Sequence, residues 1–101
     1  MVQIDWTGPA LTDLEGVHDY IARNSAHYAR LTVERIRQTA ARLAKFPKIG
    51  HFLPDLPESP YREVLAGSYR LIYREDELHH RVLIMAVVHA SRNLPPLLEG
   101  R

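Results

Sequence analysis

Cysteine is absent from this 101-residue chain. No disulfide framework or thiolate metal site is possible, and a cytoplasmic setting is the natural expectation. Long apolar runs are also absent. None approaches the roughly 20 residues needed to span a bilayer, so no membrane association is expected. The first residues, Met1 to Trp6, have neither a basic start nor an apolar stretch and do not read as a signal peptide. There is no glycine-rich phosphate loop, and Ser25, Ser59, Ser68 and Ser91 stand in no nucleophile-elbow context. Internal repeats and low-complexity segments are missing too. A formal net charge of +1 excludes a strongly basic or acidic protein.

The composition that remains is that of one small globular domain, 1–101, with 46% apolar residues. The near-neutral charge hides an asymmetry. Residues 25–52 carry Arg30, Arg35, Arg37, Arg42, Lys45 and Lys48 against the single acid Glu34. Residues 1–24 carry Asp5, Asp13, Glu15 and Asp19 against Arg23. One basic face and one acidic face follow.

Val2, Ile4 and Trp6 alternate with polar residues, which predicts a short half-buried strand. Thr7 and Pro9 then open a helix as cap and first-turn residue. Leu11, Leu14, Val17 and Ile21 share one face of it as far as about Asn24, with Asp13 and Glu15 placed to suit its dipole. Asn24-Ser25 breaks the pattern and caps a second helix, from about Ala26 to Phe46. Its apolar residues Ala29, Val33, Ile36, Ala40 and Leu43 recur three and four apart, with Arg35, Arg42 and Lys45 on one flank. The short link makes an antiparallel helical hairpin. Lys48 to Pro60, rich in proline, reads as a loop packed over a sheet edge.

Three strands follow: Tyr61 to Leu65, Tyr69 to Glu75 and Arg81 to His89, the first two joined through Ala66-Gly67-Ser68. The third is apolar on both sides and belongs in the centre, between the hairpin and the N-terminal strand. Beyond it the chain reads as a turn and a short tail. The fold class is α+β in the order β-α-α-β-β-β, a helical hairpin packed on one face of a small, mostly antiparallel sheet. Strand alternation puts Tyr69, Leu71 and Tyr73 under the helices. Arg70, Ile72 and Arg74 then lie on the opposite face, which is expected to be open.

Arg62, Arg70, Arg74 and Arg92 come from strands that should be neighbours. Guanidinium groups of this kind form an anion or nucleic-acid site or a surface for an acidic protein, or else pair with Glu63, Glu75 or Asp76 as solvated strand residues, the plainer reading. His89 ends the central strand near Arg92, where a general acid or base could sit, although a structural role is the plainer reading. His18, His27, His51, His79 and His80 have no ligand spacing, so no metal and no cofactor is expected.

Several pieces in order carry a family resemblance. They are Ile4-Asp5-Trp6-Thr7 running into Ala10-Leu11-Thr12-Asp13-Leu14, then Asp19-Tyr20-Ile21-Ala22 and Phe46-Pro47-Lys48-Ile49-Gly50. Tyr61-Arg62-Glu63-Val64, Tyr69-Arg70-Leu71-Ile72-Tyr73-Arg74 and Val88-His89-Ala90-Ser91-Arg92 complete the set. Over about Val2 to Leu98 the chain resembles the RelE/ParE superfamily of type II toxin–antitoxin toxins. The resemblance implies a growth-inhibiting bacterial toxin held in a hetero-oligomer by a cognate antitoxin. RelE-like members cleave mRNA on the ribosome with basic sheet residues and no metal; ParE-like members inhibit DNA gyrase. Under the first activity the catalytic candidates are Arg62, Arg70, His89 and Arg92. Arg70 matches the arginine of the RelE hairpin strand, and Arg62 stands where RelE-type toxins place a lysine. Val64 stands where they place a second lysine, and no tyrosine follows Arg92. The ending Val88-His89-Ala90-Ser91-Arg92-Asn93-Leu94 is similar to the ParE side, so gyrase is the favoured target, with ribosome and mRNA the alternative. A degenerate, non-toxic antitoxin-binding member is the third reading. An antitoxin segment with an amphipathic helix and acidic residues would complement apolar surface such as Ile72 and Leu94 beside the arginines.

Overall fold

The computed structural model of the chain describes residues 1–92, 98 and 100–101. The expected tail at 93–97, with Leu94, lies outside the described residues. Strand β1 is Gln3–Trp6, helices α1 and α2 are Gly8–Ala22 and Ala26–Arg42, and strands β2 to β5 are His51–Phe52, Tyr61–Ala66, Tyr69–Asp76 and Arg81–His89. The sheet order is β1-β5-β4-β3-β2. β5 runs parallel to β1, and the other neighbours are antiparallel. The apolar strand β5 is therefore central, as its lack of alternation requires.

Both helices begin where their capping residues stand. The Thr7 hydroxyl accepts from the Ala10 N–H at 3.2 Å and donates to the Ile84 carbonyl at 2.9 Å, so one side chain caps α1 and ties it to β5. Ser25 caps α2 by accepting from the Tyr28 N–H at 3.1 Å. Asp13 does not serve the helix dipole. Its carboxylate accepts from the Val87 N–H at 3.1 Å and from the Arg101 guanidinium at 2.7 Å. That N–H is available because β1 stops opposite Ile84 and, among the described residues, no strand covers the rest of that β5 edge.

Ile36, Ala40 and Leu43 from α2, with Ala10 and Leu14 from α1, pack on Leu71, Tyr73, Val82, Ile84 and Val87. Tyr73 is fully buried and its hydroxyl is doubly used, donating to the Pro47 carbonyl at 2.8 Å and accepting from the Gly50 N–H at 2.9 Å. Burial raises its pKa. Gly50 comes so close that a Cβ there would stand 2.6 Å from the Glu63 carbonyl oxygen and from that hydroxyl. The close approach fixes where the chain arrives at the sheet edge.

The opposite face is not open. Leu53, fully buried, and Leu56 fold over it onto Ile72, Met85, Ala86 and Val88, and Leu98 joins them. The proline-rich segment thus does two things. Its first residues pair with β3 as the edge strand β2, through His51↔Glu63 and Phe52↔Arg62. The next residues form a strap across the second face. Apolar sheet surface left in water would cost about 25 cal/mol per Å², which is the physical reason for the cover.

Candidate functional site

The strap decides what the sheet arginines can do. Arg70 lies on its face of β4 and is only 8% exposed. Its Nε donates to the Glu63 carboxylate, and its Nη2 donates to Asp55 Oδ1 at 2.7 Å. The other Glu63 oxygen lies 2.9 Å from His51 Nε2. A chain His51–Glu63–Arg70–Asp55 thereby crosses β2, β3 and β4 and reaches the strap. Burial works against the Arg70 charge, but the bonds from Asp55 and Glu63 outweigh it and raise its pKa. The Arg70 guanidinium in turn holds Asp55 below the usual carboxylate value, against a smaller opposing effect of burial.

The Asp55 shift fixes a pH dependence. A carboxylate with a lowered native pKa stabilises the fold above its unfolded pKa and loses that contribution as pH falls through the native one. Asp55→Asn is therefore expected to be less stable than the wild type at pH 7. The difference should shrink as pH drops below about 3.8, the ordinary value. Urea unfolding of both proteins across that range measures it. A difference independent of pH would show that Asp55 does not act through its charge.

Arg62 stands apart from Arg70. It pairs in register with Tyr73, whereas Arg70 pairs with Leu65. The two arginines are thus on opposite faces of the hairpin. Arg62 Nη1 donates to the Gly50 carbonyl at 2.8 Å, Nε lies 3.5 Å from Glu75, and the guanidinium sits 4.1 Å above the Phe52 ring. Both arginines have thus found the acidic strand partners that were the plainer expectation. Arg74 is half-buried beyond Ile72.

His89 and Arg92 are brought together, away from both. His89 is opposite Tyr69 on the helix side, with the rings 5.5 Å apart edge to face, and its Nδ1 is 2.8 Å from Ser91 Oγ. Both line an open groove of 880 Å³ with Tyr20, Arg23, Tyr69 and Asp13. Arg70 is level with Val88, one residue before His89, but projects to the other face. The four candidate catalytic residues thus occupy three places.

The partners Asp55 and His51 had no signal in the sequence. Glu63 had one: once the hairpin register is set, it lies diagonal to Arg70 on the same face. Among the described residues, no three His, Asp or Glu converge as metal ligands. No described helix is long and apolar enough to cross a membrane.

The family model for the ParE toxin of the type II toxin-antitoxin system, parDE, matches residues 4–94. Toxin RelE2 of Caulobacter vibrioides is 33% identical over 94 residues, covering 91% of this chain and 99% of that protein. A chromosomal ParDE toxin–antitoxin system from P. aeruginosa contains a chain that superposes with a TM-score of 0.71 at 20% identity, covering 88% of this chain and 96% of that one. The toxin–antitoxin complex RelBE2 from Mycobacterium tuberculosis gives 0.65 at 24% identity, covering 87% and 96%. At these identities the two structures establish a common fold.

Proposed function

Because the chain belongs to the RelE/ParE superfamily of type II toxin–antitoxin toxins, we propose that it stops growth by binding DNA gyrase, without cutting RNA, until a cognate antitoxin neutralises it. The observation that carries the absence of RNA cleavage in this reading is the enclosure of Arg70 by Glu63 and Asp55; gyrase follows from the likeness to the ParE family model. Metal-free cleavage of RNA needs preorganised cations aimed at the charge that develops on the phosphorus oxygens. A guanidinium already holding two carboxylates offers no such charge, and a phosphate would have to displace both. Arg62 faces the other way. Val64, in the place of the second lysine, packs against the core under the helices.

RNA cleavage remains as the second reading because His89 and Arg92 are exposed side by side on the groove. Induction in cells lacking the antitoxin separates the two. Gyrase inhibition predicts a DNA-damage response and impaired supercoiling while mRNAs stay whole. Immediate arrest of translation with mRNAs cut within codons would overturn it. Normal growth would leave a protein that binds antitoxin and is not a toxin.

A further inference from the structure

The cations on the flank of α2 meet an open strand edge. Between positions 35 and 54 the chain carries Arg35, Arg37, Arg42, Lys45 and Lys48 and neither Asp nor Glu. On a helix of about 3.6 residues per turn, positions 35, 39 and 42 share one face. That face runs beside β3. Arg35 Nη1 lies 3.0 Å from where a Cβ on Gly67 would stand, at the β3–β4 turn. Thr39 and Arg42 line a recess of 340 Å³ with Ile49, His51, Val64 and Leu65.

The recess borders the outer edge of β3 at Val64 and Leu65. β2 covers β3 at Glu63 and Arg62 and no further, because the chain enters β2 from Gly50, held by the Tyr73 hydroxyl. Among the described residues, the outer side of β3 from Val64 to Ala66 therefore has no strand neighbour. An uncovered edge of this kind is a template for another strand. Leu65 and Ile49 beside it are 61% and 52% exposed. Among the described residues, Arg35, Arg42 and Lys45 have no carboxylate within ion-pair distance, whereas Arg62 has one and Lys48, Arg70 and Arg81 each have two.

We propose that this edge receives an extended acidic segment of the antitoxin, added as a strand beside β3. The inference rests on the toxin–antitoxin reading above and specifies where and how the partner binds. Successive side chains of an added strand point to opposite faces. Those on the helix side meet Arg42 and Arg35 and should be carboxylates; those on the other side meet Leu65 and should be apolar. Backbone hydrogen bonds supply affinity and the alternating side chains supply selectivity. A nucleic acid fits less well, because Ile49, Val64 and Leu65 offer aliphatic surface where base stacking needs flat rings. The second face of the sheet is closed by the strap, which removes Ile72 as a contact for the partner.

Hydrogen exchange of the full-length toxin, alone and with its antitoxin, tests the strand. Antitoxin affinities of Arg35→Glu/Arg42→Glu and of Arg37→Glu test the charges; all three side chains are exposed, and Arg37 leaves α2 on a different face. In the hairpin register Val64 and Ala66 bond to β4 and the Leu65 N–H points outward, so the antitoxin is expected to slow exchange of the Leu65 amide. The double variant should bind about tenfold more weakly or worse, and Arg37→Glu within about twofold of the wild type. A complex that leaves that amide unprotected would overturn the proposal alone, as would equal losses from both variants. Loss of oligouridylate binding in the double variant with unchanged antitoxin affinity would also overturn it and make the recess a nucleic-acid site. No complex with the wild-type protein would overturn the toxin–antitoxin reading itself.

Discussion

Arg70→Ala is expected to destabilise the protein by about 3–5 kcal/mol, the cost of breaking a buried ion pair from one side. The large effect comes from what remains. Glu63 is 6% exposed, and without Arg70 its carboxylate has only the His51 ring beside it. Asp55, on the strap, loses its bond across to the sheet at the same time. For a domain of about this size each kcal/mol is worth roughly 4–8 °C, so the midpoint should fall by about 12 °C or more. Thermal unfolding measures it, and a loss below about 1 kcal/mol would mean the pair is solvated.

Loss of toxicity in that variant would not separate a catalytic role from a structural one. Glu63→Met/Arg70→Met does separate them. Apolar replacement of both partners of a buried pair is often neutral or stabilising. The double variant should fold and remain toxic if Arg70 is structural. A folded double variant without toxicity would return Arg70 to the chemistry.

Leu53→Ala is expected to cost about 2–5 kcal/mol, the range for truncating a buried leucine when the site collapses only partly. Leu53 is fully buried against Ile72 and its neighbours, although it belongs to no helix or strand. Leu78→Ala, at a site 84% exposed, should stay within about 0.5 kcal/mol and serves as the reference. Equal effects of the two substitutions in urea unfolding would mean that the second face of the sheet is open after all.

Leu53 marks the limit of what local pattern reveals. The helices, their caps at Thr7 and Ser25, and the central place of β5 were legible because each rests on a period or a capping residue within a few positions. The strap was not. Leu53 and Leu56 sit among prolines with no period, and only long-range packing says which surface they cover. The spatial grouping of the candidate residues depended on register. A three-residue connection Ala66-Gly67-Ser68 would pair Leu65 with Tyr69 and set Arg62 opposite Ile72, on the Arg70 face. The structure has Ala66 paired with Tyr69, so Gly67 and Ser68 alone make the turn, with Gly67 at φ +61°. That single step moves Arg62 to the other face. Arg70 was correctly placed opposite the tyrosines, but its two carboxylate partners depend on β3 register and on the strap.

The most direct test of the central claim uses the purified protein in two reactions. In one, DNA gyrase supercoils a relaxed plasmid; in the other, ribosomes translate a defined mRNA. With Arg70 held by Glu63 and Asp55, the protein is expected to block supercoiling and leave the mRNA intact. Cleavage of the mRNA within ribosome-bound codons, with gyrase unaffected, would contradict it.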